Sequence, residues 1–187
     1  LLEELPNTLT QIVNSNDIIL CIVGSEDFLI KGVGDFFKQR NIHCIGPTTA
    51  CSKLETSKIF CRTYIENIKE LSKYNPKFNV YYSKKEFLHD IDSVSNKYNE
   101  FVIKKDGLHR GKGVFVQGYD FDNTIESISS LNLNNSPLVI EEKLIGEEFS
   151  LMSLIDHNNN ICHFPPIRDY KRLENENKGC NTGGMGC

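Results

Sequence analysis

The sequence has no apolar run long enough to cross a bilayer. The longest, Ile18 to Val23, is far short of the roughly 20 residues a spanning helix needs. The opening stretch, LLEELPNTLT, has no basic region and so does not read as a signal peptide. Positive charge is not in excess: the net charge is −4 and the pI about 5.8, which argues against a nucleic-acid-binding surface. The seven cysteines (21, 44, 51, 61, 162, 180 and 187) form no C-x-x-C pair and no metal-finger spacing. An odd number of such thiols reads as reduced, in a cytosolic protein, with several buried as small hydrophobes. None of the five histidines falls in a ligand spacing. Methionine is scarce, and the first is Met152, so Leu1 is not an ordinary initiator. The last residue, Cys187, follows Gly-Gly-Met-Gly directly, and both ends read as cut from a longer polypeptide.

What remains is an ordinary globular composition, 39% hydrophobic and 25% charged over 187 residues, enough for one large or two small domains. Asp17 to Val23 is a continuous apolar run, as expected of a parallel strand covered on both faces. A helix over 28–40 and a strand at His43 to Ile45 complete a right-handed βαβ unit. A short helix over Leu9 to Val13 precedes it. Helices are expected after Thr48 or Thr49 and over Ser57 to Ser72, then a strand at Phe78 to Tyr82. Ser83 and Glu86 form a capping box for a helix that carries Phe87, Leu88, Ile91 and Val94. Asp120 or Asp122 caps a helix running to Leu131, and Leu138 to Glu142 is a strand. Phe149 to Ile155 and Ile161 to Phe164 form a hairpin, and from Pro165 the sequence reads mostly as loop.

The stretch FVIKKDGLHRGKGVFV, residues 101–116, carries the strongest chemical signal. A strand ends at Lys104, a basic loop with Gly107, Gly111 and Gly113 follows, and Val114 starts a second strand. Glycines let backbone N–H groups approach a phosphate, and lysines neutralise it. This is not a Walker A loop. Three residues instead of four separate Gly107 from Gly111, Gly113 follows Lys112 in place of Ser or Thr, and the loop leads into a strand. A plain hairpin with incidental lysines is the other reading of the loop taken alone.

Further runs surround this hairpin in order. They are Leu54-Glu55-Thr56-Ser57-Lys58, then Ile140-Glu141-Glu142-Lys143-Leu144-Ile145-Gly146-Glu147-Glu148, Asp169-Tyr170-Lys171-Arg172, and Asn181-Thr182-Gly183-Gly184-Met185-Gly186. The series resembles the ATP-grasp ligases, and within them the phosphoribosylamine–glycine ligase family of purine synthesis, from about Asp17 to the end. The resemblance implies an α/β and α+β chain with the ATP-grasp fold. Its parts would be a partial N-terminal βαβ domain (1–53), a connecting helix (54–75), the small ATP-grasp lobe (76–142) and the start of the central sheet domain (143–187). It implies ligation of glycine to 5-phosphoribosylamine through a glycyl phosphate, giving glycinamide ribonucleotide, ADP and phosphate.

The residue roles it implies are as follows. Lys58 and Lys104 neutralise the ATP phosphates, and Gly111, Lys112 and Gly113 fold over them. Glu141, Glu142 and Leu144 line the adenine side, and Glu148 takes the ribose hydroxyls. Lys104, Asp169, Lys171 and Arg172 are the catalytic set, with Asp169 holding the glycine ammonium. Glu26, Asn181, Thr182, Gly183 and Gly184 meet substrate. ATP and magnesium (or manganese) are the implied cofactors, with the metal ligands falling after residue 187 and none within the chain. Partners are the two small substrates, with no nucleic acid, no membrane, and fusion to or association with other purine-synthesis enzymes. A cytoplasmic location is expected.

The sequence departs from the family pattern at Ser25, Lys105, His109, Arg110 and Tyr170. These departures keep two alternatives open, another ATP-grasp carboxylate–amine ligase and a non-catalytic ATP-binding relative. The isolated chain is expected to bind ATP weakly and to release ADP slowly or not at all. Robust glycine-dependent ADP formation by these 187 residues would overturn that expectation.

Overall fold

The computed structural model describes residues 5–186 apart from 110 and 135, and the backbone alone at 5, 6, 177, 180, 181 and 183. Arg110 therefore lies outside the described residues. The chain divides into two compact units, Leu1–Asn75 with Asp106–Leu108, and Pro76–Lys105 with His109–Cys187.

In the first unit, α1 (Leu5–Ser15) is longer than the helix expected from its apolar residues. β1 (Leu20–Ile22) and β2 (His43–Ile45) pair in parallel, with Cys21 opposite Cys44. The single helix expected between them is two, α2 (Glu26–Ile30) and α3 (Val33–Lys38). They part where Gly32 takes a φ of 78°, a left-handed turn that glycine enters without steric cost. The expectation of a strand buried on both faces fails. Only Leu20–Ile22 pairs, and Ile19 and Ile22 are 81% and 68% exposed. β1 has one strand neighbour among the described residues, and α3 packs on β2, which leaves the rest of the sheet open.

Asp35 ties α3 to the next helix, α4 (Thr49–Thr56). Its carboxylate accepts from the Thr49 backbone N–H at 2.9 Å and the Thr49 hydroxyl at 2.6 Å. Thr48 caps α4 by accepting from the Cys51 N–H. The helical run expected over 57–72 breaks at Asn67 and Ile68 into α5 (Lys58–Glu66) and α6 (Lys69–Ser72).

The second unit runs β3 (Phe78–Tyr81), α7 (Lys84–His89), α8 (Ile91–Lys97), β4 (Phe101–Lys105), β5 (Val114–Val116), α9 (Ile125–Ser130) and β6 (Leu138–Glu142). Its four strands make one antiparallel sheet in the order β3-β6-β4-β5. Ser83 caps α7 by accepting from the Glu86 N–H at 3.1 Å. Glu86 reaches back to the Tyr82 N–H, one residue earlier than the expected capping box would have it. The helix breaks at Asp90, whose carboxylate accepts from the Tyr81 hydroxyl at 2.6 Å. The cap of α9 is Thr124 and neither aspartate, although Asp122 holds the Thr124 N–H at 2.9 Å.

Strand alternation sorts the sheet into two faces. Phe101 and Ile103 of β4 and Leu138 and Ile140 of β6 join Phe87, Val94 and Ile128 of the helices in a core where none is more than 1% exposed. Each such side chain contributes about 1.5–3 kcal/mol by leaving water. Lys104 and Glu141 stand on the opposite face.

After β6, β7 (Phe149–Ser150), β8 (Ser153–Ile155), β9 (Ile161–His163), β10 (Ile167–Glu174) and β11 (Lys178–Gly186) follow. β8 and β9 form the expected hairpin across Asp156–Asn160, but Phe149 and Ser150 pair instead with Arg168 and Ile167 of β10. The largest difference lies beyond Pro165. The region expected as loop is a long antiparallel hairpin, β10 with β11. Its charged, Asn- and Gly-rich sequence has no apolar alternation. Backbone pairing forms it, with Glu176 (φ 56°) and Gly179 (φ 78°) supplying the left-handed residues of the turn. No helix among the described residues is long and apolar enough to cross a membrane.

Two variants test the first unit. A Cβ at Gly34 would lie 2.5 Å from the Pro47 carbonyl oxygen, so Gly34→Ala should destabilise the chain by about 1–3 kcal/mol in urea unfolding. Thr49's two hydrogen bonds hold the Asp35 carboxyl below its ordinary value of 3.8. A carboxyl depressed in the folded state contributes stability above its unfolded pKa and loses it as pH falls through the folded one. Asp35→Asn should therefore flatten the fall in stability below about pH 4, read as Tm against pH.

Candidate functional site

The first unit contributes Lys58 and Glu26. Ser57 caps α5 by accepting from the Phe60 N–H at 3.1 Å, which turns the first residues of the helix toward Asp106. The Asp106 carboxylate accepts from the Ser57 hydroxyl (3.1 and 3.2 Å) and the Ile59 N–H (3.1 Å), and Lys58 Nζ donates to the Gly107 carbonyl at 2.7 Å. Helix N-termini favour such a carboxylate. The Ser57-Lys58 run and the Asp106-Gly107 run, distant in sequence, are thus fastened together. Glu26 is the exposed first residue of α2, away from these contacts.

In the second unit Lys104 opposes Val139 across β4 and β6, so Glu141 shares its face two residues on. The two meet at 2.6 Å, with the Lys104 side chain 23% and the Glu141 side chain 4% exposed. Beyond Lys104 the loop closes by Lys105 N–H to Gly113 O at 2.7 Å and Lys112 N–H to His109 O at 2.9 Å. Gly107 and Gly111 have φ of 90° and 79°, so the loop uses glycine where a side chain would be strained. Lys112 is exposed at its tip.

Glu142 follows Glu141 and exchanges two bonds with Lys77, its carboxylate accepting the Lys77 N–H at 2.8 Å and its own N–H donating to Lys77 O at 3.0 Å. Tyr98 lies beneath this pair of carboxylates. Burial first, then Glu142 and Glu141, push its hydroxyl up to about 12, so it stays protonated and donates to Asn79 at 2.7 Å. Leu144 is exposed, and Glu148 is exposed with its carbonyl accepting the Asp169 N–H at 3.0 Å.

The β10–β11 hairpin gathers a second group. Asp169 pairs with Lys171 and stands against Gly184, where an added Cβ would lie 2.8 Å from its carboxylate oxygen. Thr182 donates its hydroxyl to Lys171 O and accepts from the Gly184 N–H, both at 3.1 Å. Gly184 has a φ of 113°, so this close approach needs a glycine. Asn181 pairs opposite Arg172 in the ladder, and Gly183 lies between Thr182 and Gly184 on the same strand.

Arg172, which the resemblance puts in the catalytic set, has its guanidinium in a contact of its own. A bulge breaks the alternation of β10 and aims it inward. There it grips Asp120 with two bonds of 3.1 Å, donates to Gly179 O at 3.1 Å and lies 5.0 Å from the Tyr119 ring. Lys143 lies 5.2 Å from the same ring and donates to Glu100 and to Gln117 O, each at 3.0 Å. Asp106, Tyr119, Asp120 and Lys143 had no assigned ligand role in the sequence. Asp106 and Lys143 do fall inside the runs that carry the resemblance.

The structure therefore brings together Lys104 with Glu141, and Asp169 with Lys171, Thr182 and Gly184, in the second unit. Lys58 and Glu26 belong to the first. Among the described residues no three His, Cys, Asp or Glu side chains are grouped as a metal site requires.

Residues 56–187 match the family described as phosphoribosylglycinamide synthetase, ATP-grasp (A) domain, and residues 2–55 match its N domain. The chain is 36% identical over 180 residues to a phosphoribosylamine–glycine ligase of Thermotoga maritima, covering 93% of this chain and 42% of that protein. It is 36% identical over 166 residues to the ligase of that name in Methanoregula boonei (88% and 37%), and 34% identical over 180 residues to the trifunctional purine biosynthetic protein adenosine-3 of Chironomus tentans (91% and 12%). The crystal structure of the Thermotoga ligase superposes with a TM-score of 0.61 at 31% identity, over 90% of this chain and 40% of that one. D-alanine–D-alanine ligase from Bacillus anthracis superposes at 0.60 with 18% identity, over 96% and 57%, a likeness of fold alone. The chain spans less than half the length of these curated relatives.

Asp120 tests how the hairpin is anchored. Asp120→Ala removes the partner of a guanidinium that is 7% exposed. The cost should be about 2–3 kcal/mol in urea unfolding, below that of a fully buried pair because Asp120 itself is partly exposed. With Asp120 intact, Arg172→Lys should cost less than this, because lysine keeps the charge but cannot reproduce the two-pronged contact.

Proposed function

The chain belongs to the phosphoribosylglycinamide synthetase family and has the ATP-grasp fold, and on that premise we propose that the protein carrying it joins glycine to 5-phosphoribosylamine at the expense of ATP. One observation supports this reading above others. The residues that the glycine end of the reaction calls for, Asp169, Thr182 and Gly184, are gathered by one hairpin.

The chemistry divides into two transfers. The glycine carboxylate oxygen attacks the terminal phosphorus of ATP, ADP leaves, and glycyl phosphate forms. The amine of phosphoribosylamine then attacks the glycyl carbon. The new C–N bond forms, phosphate leaves with the C–O bonding pair, and the nitrogen loses a proton. The first step gathers negative charge, so fixed cations lower its barrier. Lys104, held by Glu141, and Lys58, held by Gly107 O, are those cations in this proposal. Gly111, Lys112 and Gly113 cover the phosphates and keep water from the acyl phosphate. Glu142 and Leu144 address the adenine, with Glu141 serving as the partner of Lys104. Glu148 addresses the ribose.

Asp169 takes the glycine ammonium, with Lys171 beside it. Asn181, Thr182, Gly183 and Gly184 bound the substrate, and Glu26 serves the phosphoribosylamine side. Arg172 acts as a positioning residue, because its guanidinium is committed to Asp120 and Gly179. Magnesium or manganese would neutralise phosphate charge when bound. The described side chains do not group to hold it. We place the protein in the cytoplasm. Fusion to other purine-synthesis activities fits the bifunctional and trifunctional relatives.

The test is ADP release by the full-length protein with magnesium, glycine and freshly generated phosphoribosylamine. Release that requires both substrates is expected. Release driven equally by another carboxylate in place of glycine would assign a different ATP-grasp ligase, and ATP binding without release a non-catalytic relative. Lys104→Ala should weaken ATP binding by tenfold or more, roughly 1.5–3 kcal/mol for one charge-assisted phosphate contact. Unchanged affinity would remove Lys104 from the site.

A further inference from the structure

In the first unit, β1 and β2 set Cys21 directly opposite Cys44 in a parallel pair. Neighbouring strands run about 4.8 Å apart, inside the Cα separation of roughly 4.4–6.8 Å that a disulfide accepts. The pleat puts both side chains on one face of the sheet. That face is the more covered one: both cysteines are half-buried, while Leu20, Ile22, His43 and Ile45, which flank them, are exposed. The neighbouring Cys21 is among the causes that raise the Cys44 thiol, so the two thiols stand close enough to interact. The other described cysteines lack this arrangement. Cys162 opposes Leu154 in its hairpin, and Cys51 and Cys61 lie on helices.

We propose that Cys21 and Cys44 form a reversible dithiol–disulfide site, oxidised by a peroxide. Burial first, then the neighbouring Cys21, push the Cys44 thiol up to about 11, which keeps Cys44 protonated near neutral pH. The Cys21 thiolate attacks one peroxide oxygen. The O–O bond breaks, the sulfur becomes a sulfenic acid, and the leaving hydroxide takes a proton to become water. The Cys44 sulfur then attacks the Cys21 sulfur, the S–O bond breaks, and the second water leaves with the Cys44 proton. Two thiols and one hydrogen peroxide give one disulfide and two waters. The bond would clamp β1 to β2 just before the Gly24–Glu26 turn, at the strand end that carries Glu26.

The experiment treats the full-length protein with hydrogen peroxide, alkylates the remaining thiols, digests with trypsin, and fragments the products by mass spectrometry. Cleavage after Lys31, Lys38 and Arg40 separates Cys21 from Cys44, so a bond between them appears as two linked peptides. Fragmentation distinguishes Cys44 from Cys51, which shares its peptide. The expected result is a Cys21–Cys44 link as the main oxidised species, reversed by dithiothreitol, while Cys51 and Cys162 stay alkylated. Cys21→Ser should abolish the link and leave Cys44 alkylated. Preferential linkage through Cys51, or oxidation of Cys21 to sulfinic or sulfonic acid without linkage, would overturn the proposal. The result does not depend on the ligase reading.

Discussion

An ionised carboxylate in the middle of a sheet has to be answered by charge, and Glu141 is answered by Lys104 at 2.6 Å. The rest of the second unit is arranged around keeping that pair on one face. Strand alternation sends Phe101, Ile103, Leu138 and Ile140 the other way, into the helices, where they are almost wholly buried. A slip of one residue in β4 or β6 would drive Lys104 and Glu141 into that core and bring the apolar residues out. The ion pair and the core thus fix the same register from opposite faces. The pair also leaves the lysine ammonium partly exposed at the base of the glycine loop, so a structural contact and an anion contact can share one side chain.

A second constraint lies at the turn after β5. Asp120 accepts from the Val116 N–H at 2.8 Å and from Arg172. Tyr119 has Arg172 and Lys143 near its ring. The turn is thereby joined to the exit of β6 through Lys143 and to the β10–β11 hairpin through Arg172. Asp169, Lys171 and Thr182 depend for their placement on a strand whose anchor is this guanidinium. A change at Asp120 would reach them without touching any of them.

Much of this was legible in the sequence, for identifiable reasons. The β4–β5 hairpin and β6 carry three or more consecutive apolar residues each, and local pattern suffices to place them. Ser83 caps its helix because the signal is local. The β10–β11 hairpin was not legible. Its strands are held by backbone pairing and by Arg172, and no apolar period marks them. The break at Gly32 comes from a left-handed glycine, and at α9 Thr124 takes the cap while Asp122 holds the Thr124 N–H, outcomes that spacing alone does not decide. For the site, the motif order identified Lys104 and Asp169 as residues of interest. It could not reveal that Arg172 is spent on Asp120, because the bulge that turns it inward has no sequence signature of its own.

The glycine-bearing loop after Lys105 is fixed at both ends. Asp106 and Gly107 are fastened to Ser57, Lys58 and Ile59, and Gly113 is bonded to Lys105. Inserting or deleting a residue at 106–107 or at 113 would break one of these fastenings, whereas a length change between them would not. Among natural variants of this chain, gain or loss of residues in the loop should therefore be confined to 108–112, and elsewhere its length should behave as a fixed measure.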